Sequence, residues 1–269
     1  MEVIMRKCYL DLPEGQLHYR IAGTGKPLFL LHQSPMSGVE WDDIIPLLSD
    51  TFTVVAPDMA GHGQSYEPES MSMDVITDAT VKLIDALGFD KVFLAGNHSG
   101  GALASSVATK YPERVEKLVI SCEMLITKAQ IEGFLTAIKS KPLSRDIPMD
   151  TEGKFIAEAW LRYAALAPTA PLEVRYKPFI NGQLARLRKY DIHEMIMNWM
   201  ASEQWPEQIG CPTLVFSAEH DLFYSEELLA TGPERIKDCQ TAVVTDGGAM
   251  CTFEQPAQVA RILRDFFSA

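Results

Sequence analysis

Cysteine is scarce in this chain: five residues in 269 (Cys8, Cys122, Cys211, Cys239 and Cys251), widely spaced, odd in number and without a C-x-x-C pair. That argues against a disulfide framework and against a zinc site. Positive charge is also short. Against 36 acidic residues stand 24 Lys and Arg, a formal net charge of −12, which disfavours nucleic acid as a partner because phosphate binding needs clustered cations. No apolar run approaches the length needed to span a membrane. The opening Met1-Glu2-Val3-Ile4-Met5-Arg6-Lys7 is too charged for a signal peptide, so the expected address is the cytoplasm. Internal repeats and low-complexity segments are missing. So are metal-ligand spacings of His or Cys and the G-x-G-x-x-G order of a nucleotide loop, and the reading expects no metal and no cofactor.

What is present is ample core material, with 47% of residues hydrophobic. Cys8 to Leu10 and Gln16 to Ala22 flank Asp11-Leu12-Pro13-Glu14-Gly15 and read as a hairpin. Short apolar runs follow at 27–32, 52–56, 92–96, 118–121, 212–216 and 241–244, a pattern suited to parallel strands covered on both faces. Helical periodicity lies between them. Residues 74–87 align Ile76, Ala79, Leu83, Ile84 and Leu87, and the last helix aligns Val259, Ile262, Leu263, Phe266 and Phe267. Alternating strand and helix predict a doubly wound, mostly parallel α/β sheet, with chemistry in the loops after the strands.

Residues 125–205 break this rhythm. They are rich in Ala, Leu, Met, Lys and Glu, with Pro142, Pro148, Pro168, Pro171 and Pro178 as punctuation. The expected organisation is a core of residues 1–124 and 206–269 with a helical cap over 125–205, which would shield a site from water.

Five blocks carry a resemblance: Leu30-Leu31-His32-Gln33-Ser34-Pro35; Pro57-Asp58-Met59-Ala60-Gly61-His62-Gly63-Gln64-Ser65; Tyr111-Pro112-Glu113-Arg114-Val115; Cys211-Pro212-Thr213-Leu214-Val215; and Phe253-Glu254-Gln255-Pro256. In this order they resemble the α/β-hydrolase fold family over nearly the whole chain, the inserted cap apart. The third looks like the end of the helix after the nucleophile. That family uses a G-x-S-x-G elbow that lifts a nucleophile above the sheet. Here the elbow reads Gly96-Asn97-His98-Ser99-Gly100-Gly101. Counting from the strand and back from Tyr111-Pro112 both put His98 in the nucleophile slot. A one-residue slip would put Ser99 there, with Asn97 in place of the first glycine. Asp221, in Ser217-Ala218-Glu219-His220-Asp221, matches the triad acid.

The third position departs from the family. Counting back from Pro256, the expected histidine falls on Ala249, which cannot accept a proton, so a Ser–His–Asp relay cannot run. Either the natural protein lacks this base or an alanine was placed there to disable it. His98, a neutral-pH proton carrier, is expected to pair with Asp221 across the small alanine. The N–H of Ser99 with that of Gln33 or Ser34 would form an oxyanion hole. Glu123, after the strand ending Ile120-Ser121-Cys122, is a candidate pocket acid, with capping or a solvent-facing position as the plainer expectation. His32 and His62 are read as structural, Cys251 as an inert thiol, and His18 and His193 carry no local signal.

The resemblance implies an atypical hydrolase acting on a small apolar carbonyl compound (ester, lactone or C–C bond). The alternatives are a non-hydrolytic lyase or isomerase using His98 with Asp221, and an inactive small-molecule binding protein. The expected partner is a small molecule, with neither nucleic acid nor membrane. A homo-oligomer is compatible with the sequence.

Overall fold

The computed structural model describes residues 4–140, 147–167, 170–202 and 205–269. Met1 to Val3 of the N-terminal segment, and Pro142 and Pro168 of the inserted stretch, lie outside the described residues.

Eight strands form one sheet: β1 (Arg6–Leu12), β2 (Gly15–Ala22), β3 (Lys26–Leu31), β4 (Phe52–Pro57), β5 (Val92–Gly96), β6 (Val115–Ser121), β7 (Thr213–Ala218) and β8 (Cys239–Val244), in the order β1-β2-β4-β3-β5-β6-β7-β8. β1 pairs antiparallel with β2 and β2 with β4, and every other pairing is parallel. The doubly wound α/β reading therefore describes the molecule. The first turn is tighter than the sequence suggested. Asp11, Leu12 and Gly15 belong to the strands, so only Pro13 and Glu14 make the turn, with Gly15 at φ +138°. β8 is the last strand of the sheet among the described residues, and Gln240 and Thr241 are exposed, so it is not covered on both faces.

Ten helices or helical turns needed here are α1 (Ile45–Leu48), α2 (Met73–Ala86), α3 (Ser99–Lys110), α4 (Lys128–Ser140), α5 (Lys154–Leu166), α6 (Leu172–Leu184), α7 (His193–Ser202), α8 (Trp205–Gln208), α9 (Glu226–Arg235) and α10 (Cys251–Glu254), and α11 (Pro256–Ser268) closes the chain. α2 starts where Ser72 accepts from the Val75 N–H at 3.2 Å and stops before Gly88 at φ +76°. Its face of Ile76, Ala79, Leu83 and Ile84 is buried. α3 ends at Lys110, and Pro112–Arg114 is a separate turn before β6 begins at Val115. The Tyr111–Val115 block is thus a helix-to-strand joint, since Pro112 has no N–H to continue the helix.

One apolar cluster fills each face of the sheet. On one side, Phe93 and Phe267 stack at 4.9 Å between ring centres, locking α11 against β5. A third cluster joins the helices inserted between β6 and β7 to loops of the sheet: Tyr163, Ala167 and Phe179 pack with Met36, Met250 and Phe253. These contacts tie the insertion to the loops after β3 and β8.

Candidate active site

Gly96 ends β5 and Ser99 starts α3, leaving two residues for a sharp reversal. His98 takes φ +47° and ψ −121°, a conformation of order 1–3 kcal/mol above the usual basins for a residue with a side chain. The turn tolerates little bulk on either side. A Cβ on Gly96 would meet the Gly100 carbonyl oxygen, and one on Gly100 the Leu31 carbonyl oxygen, both nearer than any real contact. The tight glycines are thus Gly96 and Gly100, with His98 midway between them, and Ser99 already belongs to the helix. The His98 N–H is held by Ser121 Oγ at 2.8 Å.

The imidazole lies between two carboxylates. Its Nε2 is 2.9 Å from Asp221 Oδ2, and its Nδ1 is in direct contact with Glu123 Oε2. Asp221 sits in the turn after β7. Its own N–H donates to Ala218 O at 3.0 Å, and its Oδ1 accepts from the Phe223 N–H at 2.9 Å. Burial pulls the Asp221 carboxyl up, but the charge and hydrogen bond of His98 outweigh it and hold the group below the usual carboxylate range. Glu123 stands on a 3-10 turn, Cys122–Leu125, directly after β6 and is buried. The expectation of a capping or solvent-facing Glu123 is corrected. β6 ends level with β5, with Gly96 beside Ile120, so the next turn delivers the side chain to the elbow.

Ala249 is buried at the cavity wall, and its methyl leaves His98 direct access to Asp221. The two candidate donors after β3 differ. The Gln33 N–H is committed to Glu40 Oε2 at 2.7 Å, so it does not face the cavity as an anion donor, because a buried carboxylate outcompetes any weaker acceptor. The Ser34 N–H instead meets Ser99 Oγ at 2.5 Å, which keeps Ser34 and Ser99 together at the N-terminus of α3. His32 is fully buried, its Nδ1 2.9 Å from Gln33 O and its Nε2 accepting from the Met59 N–H at 2.9 Å. Burial lowers its pKa, and it serves as a neutral strut. His62 Nε2 reaches Ser34 Oγ at 3.2 Å. The Cys251 thiol is buried and pushed well up, by burial first and then by the charges of Asp221, Glu40 and Glu254, so it is an inert thiol.

His98, Ser99, Glu123 and Asp221 open into a cavity of about 400 Å³ whose other walls are largely apolar, including Phe134, Tyr163, Leu166, Ile196, Met197 and Phe223. Five of these six come from the inserted helices. Arg162 and His193 also line it, and His193 is paired with Asp191 at 2.6 Å. Nothing in the sequence marked these two, because a cap face is chosen by packing and not by a motif. Glu40 was missed for a similar reason. It is a lone acid within a 3-10 turn, Gly38–Trp41, and only the fold brings Gln33, Asn97 and Thr252 around it. His18 was unmarked as well and is buried against Asp58 at 2.9 Å, away from the cavity. Among the described residues, one group could hold a cation, the exposed Glu219, His220 and Asp246, none of which lines the cavity. Among them too, no helix is long and apolar enough to cross a membrane.

Comparison with known proteins follows the same outline. The chain is similar to a soluble epoxide hydrolase of Corynebacterium sp. (strain C12), 43% identical over 107 residues that cover 39% of this chain and 37% of that protein. It is also similar to haloalkane dehalogenase 2 of Mycobacterium tuberculosis (strain ATCC 25618 / H37Rv), 30% identical over 181 residues, 60% of this chain and 62% of that one. The matches thus span less than two thirds of these curated relatives. A solved structure of 2-hydroxy-6-oxo-6-phenylhexa-2,4-dienoate hydrolase from Rhodococcus sp. strain RHA1 superposes with a TM-score of 0.76, at 20% identity over 99% of this chain and 100% of that one, a likeness of fold. The profile of the alpha/beta hydrolase fold matches residues 26–256, most of the sheet and all of the insertion, and the chain belongs to that family.

Proposed function

We propose that this protein hydrolyses a small, largely apolar carbonyl compound, an ester, a lactone or a cleavable diketone, by general acid–base catalysis and without an acyl-enzyme. One observation carries the reading: an imidazole at the elbow, clamped between Asp221 and Glu123, at the floor of a mostly apolar cavity. With Ala249 in place of a base, no group activates Ser99 as a nucleophile. His98 is the proton carrier. Asp221, anchored by the Phe223 N–H, fixes the ring, and the His98–Glu123 pair takes the proton from an attacking water. The water oxygen bonds to the carbonyl carbon. The oxygen that gains charge faces the Ser99 N–H and the Ser99 hydroxyl, whose Oγ is held by the Ser34 N–H; such donors are worth about 2.7–4 kcal/mol each in favourable sites. Collapse breaks the C–O or C–C bond, and the leaving group takes back the proton from His98. The inserted helices act as a lid that keeps bulk water out. Relatives named as an epoxide hydrolase and a dienoate hydrolase support a reaction with water.

The test is a panel of short esters, lactones and 1,3-diketones, run with the wild type and His98→Ala, with intact-mass measurement of quenched enzyme. Turnover that falls by about 10²- to 10⁴-fold in His98→Ala, with no covalent adduct, is the expected result. An adduct on Ser99, or tight binding without turnover, would overturn it. The same His98–Glu123 pair supports a second reading, proton transfer without hydrolysis (lyase or isomerase), in which it takes the proton from the substrate and not from water. Incorporation of ¹⁸O from labelled water into product separates the two.

A further inference from the structure

We propose that Glu40 is a positioning residue of this site: a buried carboxylate that ties the loops after β3 and β8 to the elbow and so holds the His98 ring on Asp221. The inference rests on the acid–base reading above for its catalytic meaning, and on geometry for everything else.

Glu40 is 1% exposed and no ion pair is made to it among the described residues. A carboxylate in that position is costly unless its lone pairs are filled. Four donors fill them. The Gln33 N–H donates to Oε2 at 2.7 Å. Oε1 receives Gln33 Nε2 at 3.2 Å, Asn97 Nδ2 at 2.9 Å and Thr252 Oγ1 at 3.0 Å. Burial raises the Glu40 pKa, while the Asn97, Gln33 and Thr252 hydrogen bonds work against that rise. Three of the four facing groups are N–H donors, so the arrangement selects the ionised form, which only accepts.

The origin of those donors distinguishes a positioning role from simple burial. None comes from the sheet interior. Gln33 precedes Ser34, Asn97 precedes His98, and Thr252 is the second residue of α10, shortly after Ala249 and Met250. Gln33 extends the clamp, since its Nε2 also lies 3.3 Å from the Ala249 carbonyl oxygen. Gln33 and position 249, where the family's histidine is expected, are therefore joined through Glu40's principal partner. His98 sits at a strained φ of +47°, and such a conformation persists only where its neighbours hold it. Asn97 is that neighbour on the strand side, fixed by its N–H to Leu31 O at 3.3 Å and by its amide to Glu40.

The experiment uses Glu40→Gln in the full-length chain. It replaces an acceptor by an NH₂ group facing donors, at nearly unchanged volume. Its first readout needs no substrate: the ¹⁵N and downfield ¹H signals of the His98 ring, assigned by their loss in His98→Ala. A folded Glu40→Gln protein with shifted or lost His98 ring signals is the expected result, and unchanged signals overturn the proposal. The second readout, on any substrate turned over, is kcat lowered by about 10- to 100-fold with KM within about threefold, the pattern of a displaced reacting group. An unchanged kcat overturns the positioning role. If no substrate is found, the acid–base reading fails while the ring signals still decide this one. If Glu40→Gln does not fold, Thr252→Val, which removes a single donor, decides in its place. His98 signals that shift in Thr252→Val support the clamp, and signals identical to wild type overturn it.

Discussion

Removing His98 should destabilise the protein in a way that depends on pH, with a sign fixed by the geometry. The ring separates two carboxylates, and the side chains of His98, Glu123 and Asp221 are 13%, 6% and 10% exposed. Breaking a buried pair by deleting one partner costs about 3–5 kcal/mol, and the adjoining cavity places this site at the lower end, about 3 kcal/mol at pH 7. For a chain of this size that is a Tm drop of roughly 6–12 °C. In the wild type the folded Asp221 carboxyl lies below its unfolded value, so its contribution is present above about pH 4 and is lost as pH falls through the folded pKa. In His98→Ala the charge and hydrogen bond of the ring are gone, and burial, the largest influence on Asp221, is opposed only by the Phe223 N–H, so the carboxyl rises. The variant then loses stability as pH rises above about 4, and the gap to wild type widens toward neutrality. Thermal melts of both proteins from pH 4.5 to 8 measure this. Adding Asp221→Asn to His98→Ala should recover stability at pH 7, because the buried carboxylate left without its histidine is then neutral. A gap constant across that range, with no recovery in the double variant, would refute the argument.

Four further outcomes follow from other parts of the structure. Ala249→His alone should lower activity on the ester and lactone panel, because the new imidazole competes with His98 for Asp221. Combined with His98→Ser it should instead yield a covalent acyl adduct visible by mass, since the ordinary relay is then complete. Asp221→Asn keeps the shape but removes the charge that orients the ring, and kcat should fall by at least about tenfold with KM little changed, read from steady-state kinetics. Gly182→Ala forces a Cβ into the Tyr163 side chain, so the inserted helices should loosen: a loss of about 1–3 kcal/mol by melting and faster limited proteolysis between 147 and 202. Asp58 is held far below the usual carboxylate range. Burial opposes this, but His18, His32, the Gln64 N–H and Arg20 prevail, so its stabilisation is present above about pH 4 and lost as pH falls further. Asp58→Asn should flatten the acid limb of the stability profile, measured by denaturant melts from pH 2 to 6.

The linear chain by itself determined the sheet, because buried parallel strands such as β3, β5 and β7 must be short apolar runs, and it placed the strand-to-helix turn at Gly96–Gly101, while the structure fixed its register on His98. It also specified that position 249 carries no base, a fact of composition that folding cannot change. The tertiary structure decided what surrounds His98. Glu123, Asp221 and Glu40 are separated from it by 25, 123 and 58 residues, and nothing local to any of them signals the others. Only the parallel register, which sets the ends of β5, β6 and β7 side by side, brings two carboxylates to one ring. The same holds for the cavity walls. Helical periodicity shows that a segment such as α5 or α7 has an apolar face, but Tyr163, Met197 and Arg162 face the cavity because of where the insertion packs on Met36, Met250 and Phe253. Side-chain periodicity is a property of neighbours along the chain, whereas a site is a property of neighbours in space, and here the longest loops of chain close around the shortest distances.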